Sequence, residues 1–557
     1  MKHPLYDRPR FATVRELVEY LDKTYGARTA YTFRNDPHDK ETQIRSFARL
    51  VGDVRAIAEG LHARGIPSAP SALIGRLSYG WVCTYLALLA AGGTVVPLDP
   101  DWSAEELAAT AAAAECKTLF CSDDILEKAI GIERTVSIDS ARGALSLDML
   151  AAEGAALRAE GSDAYGQTRV NPDALSLFVF TSGTTGKGKG VMLTQTAILS
   201  NITAGLQLVD AGDRTIGLLP PHHTFGSTVG ILGNLLLGAD LYISSGTRYL
   251  VREMKEHRPT HLILVPLYLE TFYRRIKAAI RESGRESMFA TLSRVSDVLA
   301  RLGLDVRKRL FASVRATFGG ALSLVISGGA PLSEEIAATF VSLGITVLNG
   351  YGITECAPLI SVNRPTVQKK GSAGMPIPTV QVRIRDADES GEGEICVKGP
   401  SVMLGYYKDA DATEAAFDEN GYFRTGDIGR LDADGWVYIT GRVKNLIILS
   451  NGKNVYPEEI ETALSAVPGV IDVVVYEGVS RRGEDTGVIA CEIYPDSEFL
   501  TKNGIEDKQA YFKQFITEYN RTAVPYKKVG VLKVRETEFP KNTLRKITRF
   551  AIDRTVE

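Results

Sequence analysis

The sequence predicts an α/β protein with a large N-terminal domain of layered sheets and helices and a smaller α+β domain at its C-terminal end. Its 557 residues are too many for one hydrophobic core. From Ala72 to Cys121, strand-like and helix-like segments alternate, which is typical of parallel strands covered by helices. Near the C-terminus, apolar strand patterns at 470–476 and 488–493 precede a helical pattern at 508–521. Together these observations favour two domains of unequal size.

The N-terminal elements follow from apolar spacing. Residues 11–66 are predicted to be helical, because two sets of apolar residues recur at helical intervals: Val14, Leu17, Val18 and Leu21, then Leu50, Val54, Ile57 and Leu61. Strands are then predicted at Leu73–Ile74, 93–97 and 118–121, alternating with helices at 81–91 and 104–114. Residues 141–170 are small and polar, and we expect them to form a surface connection before the next strand.

Composition is that of an ordinary globular chain, with 45% hydrophobic and 24% charged residues. The net charge of -3 gives no whole-chain attraction to nucleic acid or to anionic membranes. Six scattered cysteines without a C-x-x-C pair favour reduced thiols and a cytoplasmic location, and argue against a zinc site. The N-terminus has no apolar core for a signal peptide, and no apolar run reaches membrane-spanning length.

A run of basic residues on predicted helices leaves two interpretations open. A solvated face is the usual explanation of such a run. The alternative is a surface that faces the phosphates of a ligand or makes a peripheral contact with the inner face of a membrane. The residues concerned are Arg274, Arg275, Lys277, Arg281, Arg285, Arg294, Arg301, Arg307, Lys308 and Arg309.

The most informative stretch is Phe180-Thr-Ser-Gly-Thr-Thr-Gly-Lys-Gly-Lys-Gly190. Its glycines let the backbone N–H groups approach an anion, and its hydroxyls and lysines add donors, so the stretch predicts polyphosphate binding. It nearly matches the P-loop of nucleotide hydrolases, but Gly190 stands where that motif needs Ser or Thr. Apolar residues on both sides predict strand–loop–strand, with Thr194 capping the next helix, whereas a P-loop opens a helix. The ordinary P-loop is therefore excluded.

The same stretch closely resembles the phosphate loop of the adenylate-forming superfamily, which includes acyl-CoA ligases, luciferases and the adenylation domains of peptide synthetases. That family usually has T-S-G-T-T-G-x-P-K-G, so Gly188 replaces a proline. The alternative is a Gly/Thr-rich hairpin without a ligand. On the resemblance, the residues expected to bind ATP phosphates are Thr181, Ser182, Gly183, Thr184, Thr185, Gly186 and Lys189.

Two segments resemble the family's acyl-pocket and adenine motifs. Leu219-Pro-Pro-His-His-Thr-Phe-Gly226 matches L-P-x-x-H-x-F-G, which makes His223 the acyl-pocket histidine and His222 its neighbour. A histidine that only caps a turn is the alternative. Ser327-Gly-Gly-Ala-Pro-Leu332 matches the family's adenine-binding turn, so Gly329 and Ala330 are expected to pack against the base.

Two further segments resemble the family's catalytic and ribose motifs. Tyr351-Gly-Ile-Thr-Glu355 matches Y-G-x-T-E, with Tyr351 stacking on adenine, Thr354 contacting the α-phosphate and Glu355 binding Mg²⁺. Tyr422-Phe-Arg-Thr-Gly-Asp427 matches the motif whose aspartate holds the ribose hydroxyls, a role for which an acceptor-only carboxylate suits Asp427. Between them, Gly405-Tyr-Tyr407 is expected to be β-rich scaffold without a chemical role.

The C-terminal motifs complete the resemblance and place a domain boundary, giving an N-terminal domain 1–440 and a mobile C-terminal domain 441–557. In the family, Arg442 contacts ribose or phosphate, Lys444 is the hinge and Gly452 meets the pantetheine channel of CoA. Lys546 corresponds to the lysine that bridges the carboxylate and α-phosphate oxygens, although Arg545 replaces a nearby glycine. A basic tail containing Lys541, Arg545 and Arg549 is the alternative interpretation of this last motif.

The motifs cover nearly the whole chain and are most similar to those of bacterial long-chain fatty acyl-CoA ligases. The resemblance implies that a carboxylic acid, of medium or long chain, reacts with ATP and Mg²⁺ to form acyl-AMP, and that CoA then accepts the acyl group. Two alternatives are an acyl-AMP ligase that loads a carrier protein and a nucleotide-binding regulator with a dead site. The presence of Thr354, Glu355, Asp427, Arg442 and Lys546 argues against the second.

Overall fold

The computed structural model describes residues 4–126, 128, 131–139, 145–181, 189–282, 284, 286–449, 454–541 and 547–556. The chain divides into two compact units. The first comprises Met1–Gln381 and Val397–Phe423, and the second comprises Val382–Cys396 and Arg424–Glu557. Helices and layered sheets occur together in the first unit, which confirms the predicted α/β class. The domain boundary at residue 441 stays a prediction.

The described residues of the first unit contain three sheets. A seven-stranded sheet has the order Gly405–Tyr406, Lys189–Thr194, Leu175–Thr181, Val95–Leu98, Ser71–Ile74, Thr118–Cys121 and Arg134–Ser137. A five-stranded sheet has the order His261–Leu264, Leu324–Gly328, Thr346–Gly352, Leu359–Val362 and Met375–Pro376. A four-stranded sheet has the order Gln43–Ser46, Thr29–Phe33, Asp240–Ile243 and Arg214–Gly217. The strands predicted between residues 72 and 121 pair in parallel, as expected.

Helices over the whole of residues 11–66 were predicted, and this was wrong for Thr29–Phe33 and Gln43–Ser46, because these two segments pair as strands of the four-stranded sheet. The two N-terminal helices bury all eight of the residues named for them. Among the described residues, no helix combines the length and the apolar character needed to cross a membrane. The helices are Val14–Tyr25, Phe47–Ala63, Tyr79–Ala90, Ala104–Ala113, Asp123–Leu126, Leu147–Ala159, Ala164–Gln167, Gln195–Leu208, Asn234–Leu237, Leu250–His257, Pro266–Glu282, Glu286–Arg301, Arg307–Leu310, Ala312–Ala316, Glu334–Ser342 and Ala410–Ala415, with a π-helix at Phe225–Gly233.

The expectation of a surface connection over residues 141–170 was wrong, because Leu147–Ala159 is a helix packed on the helix Phe47–Ala63. The two backbones approach so closely that a Cβ on Gly154 would lie 1.9 Å from the Ala56 carbonyl oxygen. Small residues form this contact, so the apolar stripe that normally reveals a buried helix is weak here.

The second unit contains a four-stranded sheet and the predicted α+β elements. The four-stranded sheet has the order Gln381–Arg385, Gly393–Lys398, Phe423–Leu431 and Val437–Arg442. A two-stranded ribbon, Ile447–Ile448 with Asn454–Val455, precedes the helix Pro457–Ser465, whose first turn holds Glu458 and Glu459. A three-stranded sheet, Val470–Val479, Asp485–Pro495 and Val529–Val534, packs with the helices Ser497–Lys502 and Lys508–Thr522.

Candidate active site

Two antiparallel strands flank the glycine-rich loop. The incoming strand, Leu175–Thr181, pairs with the outgoing strand, Lys189–Thr194, and Thr181 lies opposite Lys189. The outgoing strand leads into the helix Gln195–Leu208, and the Thr194 hydroxyl accepts a hydrogen bond from the Ala197 N–H at 3.0 Å. The two predicted strands and the helix cap are therefore confirmed. The loop itself, from Ser182 through Gly186 to Gly188, lies outside the described residues.

Gly190 has a packing reason to lack a side chain. A Cβ at this position would lie 2.0 Å from Cε2 of Phe178 on the incoming strand. The Phe178 ring is held there by Phe180 and Tyr407, whose ring centroids are 4.8 Å and 4.7 Å away. Gly190, the residue that argued against a hydrolase P-loop, therefore leaves room for the ring of Phe178 beside the strand that follows the loop.

The outgoing strand is held on its other side by the short strand Gly405–Tyr406. Tyr406 lies opposite Val191, and the flanking N–H groups of Leu404 and Tyr407 donate to the carbonyl oxygens of Met192 and Gly190 at 2.9 Å and 2.8 Å. This edge pairing holds the strand that directly follows the glycine-rich loop. The segment Gly405–Tyr407 was expected to be scaffold, and in this respect the expectation holds.

Tyr406 also contacts two predicted site residues, so the expectation that its segment lacks a chemical role was incomplete. Its hydroxyl donates a hydrogen bond to Glu355 Oε1 at 3.0 Å. Burial and the adjacent Glu355 carboxylate raise the pKa of Tyr406, which keeps the hydroxyl protonated and donating. The Lys189 ammonium lies 4.6 Å from the centroid of the same ring, within range of a cation–π contact. One tyrosine therefore links the predicted phosphate lysine to the predicted magnesium ligand.

The surroundings of Glu355 fit a magnesium ion that is also held by substrate phosphates. Glu355 is half-buried in the short 3₁₀ turn Thr354–Cys356, and its carbonyl oxygen accepts from the Met403 N–H at 2.8 Å. A carboxylate offers about four lone-pair sites, so the bond from Tyr406 leaves capacity for a cation. The described residues contain no cluster of three or more His, Cys, Asp or Glu that could hold a metal. One carboxylate together with phosphates and water is a usual Mg²⁺ environment.

Asn201, a buried residue of the helix Gln195–Leu208, holds the segment after Glu355 in place. Its Nδ2 donates to the carbonyl oxygens of Cys356 and Leu359 at 3.0 Å and 2.7 Å, and its Oδ1 accepts from the Leu359 N–H at 3.1 Å. The sequence gives no local sign of this role, because Asn201 is 155 residues from Cys356. The helix capped by Thr194 therefore also positions the turn that contains Thr354 and Glu355.

The predicted adenine residues follow two parallel strands of the five-stranded sheet. Leu324–Gly328 runs beside Thr346–Gly352, and Gly328 lies opposite Gly350. Gly329 and Ala330 follow the first strand and are exposed, with a φ of 85° at Gly329 that favours glycine. Tyr351 is only 7% exposed, so little of its ring reaches the surface. Adenine binding by these residues stays a prediction.

The two predicted histidines lie side by side, with polar contacts to neighbouring segments. The His222 and His223 ring centroids are 4.3 Å apart. His222 Nε2 lies 3.5 Å from Oδ2 of the buried Asp99, which follows the strand Val95–Leu98. The His223 carbonyl oxygen accepts from the Ser227 N–H at 2.9 Å at the start of the π-helix. His222 thus has a carboxylate neighbour that the sequence pattern did not indicate.

A narrow apolar cavity lies beside the π-helix that follows His223. Its twelve lining residues include no ionisable side chain, and its two polar side chains are those of Thr215 and Asn234. Asn234 Oδ1 is 2.7 Å from His261 Nε2 and is thereby partnered. The lining residues are Leu77, Thr215, Ile216, Gly217, Leu218, Leu219, Gly226, Gly230, Ile231, Asn234, Leu241 and Ile263.

In the second unit, the predicted ribose and hinge residues lie close in the sheet. Asp427 and Arg442 are opposite each other on antiparallel strands, and Arg442 Nε donates to Asp427 Oδ1 at 2.6 Å. Asp427 is buried, whereas Arg442 is exposed. Lys444 is exposed in the 3₁₀ turn Val443–Asn445 that follows. The structure therefore brings together Asp427 and Arg442, while their ligand roles stay predictions.

The last motif is anchored by ion pairs on both sides of the predicted catalytic lysine. Lys541 Nζ lies 2.7 Å from Asp472 Oδ2, and Arg549 Nη2 lies 2.5 Å from Glu461 Oε2. Burial opposes the charge of Lys541, but Asp472 and Glu538 outweigh it and raise its pKa. Lys541 and Arg549 are thus structural, and the alternative of a basic tail is wrong for them. Gly452, Arg545 and Lys546 lie outside the described residues.

Comparison with known proteins supports the same family. A family model described as AMP-binding enzyme matches residues 19–407. The long-chain-fatty-acid–CoA ligase FadD15 of Mycobacterium bovis is 29% identical over 456 residues, covering 77% of this chain and 74% of the relative. Long-chain-fatty-acid–CoA ligase 5 of Rattus norvegicus is 32% identical over 356 residues, covering 60% and 52%. The crystal structure of ATP-bound MatB from Rhodopseudomonas palustris has a TM-score of 0.75 and 25% identity, covering 97% and 98%.

The chain belongs to the AMP-binding enzyme family, the adenylate-forming superfamily that its motifs resemble. Within that superfamily it is an AMP-forming acid–thiol ligase of the acyl-CoA synthetase type. Its co-substrates are ATP and coenzyme A, and its metal is Mg²⁺.

Proposed function

We propose that this ligase activates a medium- or long-chain fatty acid as acyl-AMP and transfers the acyl group to CoA. The observation that carries the proposal is the similarity to two enzymes named long-chain-fatty-acid–CoA ligase, at 29% and 32% identity. The cavity beside the π-helix after His223 is too small to hold an acyl chain, but its apolar lining has no cation for a second carboxylate.

The chemistry requires two anions, the carboxylate and the α-phosphate of ATP, to be held together. A carboxylate resists attack by nucleophiles, and joining it to AMP removes its charge and supplies a leaving group. Cations and aimed N–H groups lower the repulsion between the two anions. We assign this role to Lys189 with the glycine loop, to Thr354 and to Lys546. Mg²⁺, when bound at Glu355, supplies further positive charge to the phosphates.

The remaining predicted residues have roles in binding and in the second half-reaction. We assign adenine to Gly329, Ala330 and Tyr351, and the ribose to Asp427 with Arg442. Arg442 donates to Asp427 Oδ1, and a carboxylate is an acceptor with about four lone-pair sites, which suits hydroxyl groups. In the second half-reaction, the proposed domain 441–557 turns about Lys444 and presents Gly452 to the pantetheine arm of CoA.

Separate assays of the two half-reactions test these assignments. Lys546→Ala should abolish acyl-AMP formation, measured by pyrophosphate release, and largely spare thioester formation from supplied acyl-AMP, because the lysine acts on the α-phosphate. Gly452→Leu is the matched variant and should show the reverse pattern. Equal loss of both half-reactions in Lys546→Ala would contradict the assignment of the lysine, and intact CoA-dependent turnover in Gly452→Leu would contradict that of the glycine.

A further inference from the structure

The helices that carry the basic run in the first unit also expose apolar side chains. Fourteen large apolar side chains are exposed among the described residues, and six of them fall between residues 288 and 310. They are Met288, Val295, Val298, Leu302, Leu304 and Leu310, with Leu302 at 72% exposure. Such clustering is unusual, since exposed apolar side chains are normally scattered singly over a surface.

Four of these side chains form one stripe along the helix Glu286–Arg301 and its last turn. Met288, Val295, Val298 and Leu302 are spaced so that they lie on one face, and the Leu302 N–H continues the helix by donating to the Val298 carbonyl oxygen at 3.2 Å. Phe289 and Leu292, on the neighbouring face, pack against the core. The helix is therefore already anchored in the unit, and the exposed stripe is a second apolar face.

Positive charge surrounds this stripe. Residues 274–310 contain ten basic and four acidic residues, which gives the segment a formal charge of +6 in a chain whose net charge is -3. Arg294, Lys308 and Arg309 are exposed beside the apolar residues. Other cations of the run are paired with acidic residues: Arg274 with Glu270, Lys277 with Glu335, Arg281 with Glu286 and Arg307 with Asp305. Arg315 is structural, since it is buried and donates to backbone carbonyl oxygens.

We propose that this surface, formed by Met288, Val295, Val298, Leu302, Leu304 and Leu310 with Arg294, Lys308 and Arg309, docks on an anionic lipid bilayer. An apolar stripe flanked by Lys and Arg is the signature of a helix that lies in the membrane interface. The aliphatic side chains enter the boundary of the acyl chains, and the basic groups contact anionic headgroups. Nucleic acid offers no comparable place for six exposed aliphatic side chains. Of the two interpretations of the basic run, a solvated face and a surface that contacts a membrane, we therefore favour the second.

Vesicle binding of the full chain tests the proposal. Sedimentation should show binding to vesicles of equimolar phosphatidylcholine and phosphatidylglycerol, weakening at high salt, and much weaker binding to phosphatidylcholine alone. The triple variant Arg294→Gln, Lys308→Gln, Arg309→Gln should lose about fivefold in partition coefficient per removed charge. The variant Val295→Ser, Val298→Ser, Leu302→Ser should lose about tenfold or more on both kinds of vesicle.

Matched variants at other surface positions distinguish vesicle binding by this surface from nonspecific binding. Ile44→Ser, Met149→Ser, Val524→Ser removes three other exposed apolar side chains, and Arg482→Gln, Lys513→Gln, Arg521→Gln removes three other exposed charges. Both should bind vesicles like the parent, and all variants should keep the parent's melting temperature and its ATP-dependent pyrophosphate release. Equal loss in the control variants would overturn the proposal, as would failure of the parent to bind anionic vesicles. Concentration-dependent self-association that only the surface variants lose, without vesicle binding, would make the surface a protein contact and also overturn it.

Discussion

Replacing Tyr406 with Phe isolates the hydrogen bond between a scaffold strand and the predicted magnesium ligand. The substitution keeps the ring beneath Lys189 and the backbone pairing with Val191, and removes only the hydroxyl that donates to Glu355 Oε1 at 3.0 Å. A hydrogen bond to a charged acceptor is worth about 1.5–3 kcal/mol. Because Glu355 is half-buried, water will replace part of that energy, so we take the lower end of the range. The expected loss in the rate of adenylation is about tenfold.

The assay is pyrophosphate release at saturating ATP and acid over a series of Mg²⁺ concentrations. A less well oriented Glu355 should weaken the metal, so Tyr406→Phe should need more Mg²⁺ for half-maximal rate, and excess Mg²⁺ should recover part of the loss. Thioester formation from supplied acyl-AMP should be unchanged. Tyr406→Leu should add an increase in KM for ATP, because it also removes the ring that faces the Lys189 ammonium.

Tyr407→Phe is the matched control. The neighbouring hydroxyl donates to Glu115, whose carboxylate is exposed, so its removal should leave the Mg²⁺ dependence at the parent value. The reasoning is refuted if Tyr406→Phe has the parent's Mg²⁺ dependence and rate, or if Tyr407→Phe shifts both equally. Melting temperatures of the two variants should agree within error, since each loses one hydroxyl at the same strand.

Three further predictions test the surroundings of the site. Asn201→Ala should lower the free energy of unfolding by about 2–4 kcal/mol, measured by urea denaturation, because three backbone groups lose their partner; a value near zero would show that water replaces it. Gly190→Ala should raise KM for ATP and lower the free energy of unfolding by about 1–3 kcal/mol, because the added methyl group meets the Phe178 ring. Adding Phe178→Leu should recover part of both effects. No recovery would exclude the ring contact as their cause. Asp427→Asn should raise KM for ATP while its effect on KM for the acid stays small; an unchanged KM for ATP would remove Asp427 from ribose binding.

The sequence predicted the parts of the site whose signals are local. The strands around the glycine loop and the cap at Thr194 follow from short patterns of apolar, hydroxyl and glycine residues. These patterns report backbone conformation directly, because turns and helix starts tolerate few residue types. The pairing of Asp427 with Arg442 was not predicted, although the two residues lie on adjacent strands of one hairpin.

What the sequence did not indicate depends on contacts between distant segments. Tyr406 is 51 residues from Glu355, and Asn201 is 155 residues from Cys356, so no window of local pattern contains both partners. The helix Leu147–Ala159 was missed for a different reason, because its packing uses backbone contact at Gly154 in place of a strong apolar stripe. The apolar stripe over Val295–Leu302 appears in the sequence, but only the structure shows that it is exposed.

The measurement that tests the central claim most directly is pyrophosphate release by the purified chain across a series of straight-chain acids, with and without CoA. We expect release to depend on the acid, to rise with chain length from short to medium and long acids, and to yield acyl-CoA with turnover only when CoA is present. A dicarboxylic acid of matched length is the control and should be a poor substrate, because a pocket for a hydrocarbon tail would leave its second carboxylate buried without a cation. Absence of release with every acid would contradict the ligase activity, and release indifferent to CoA would favour a carrier protein as the acceptor.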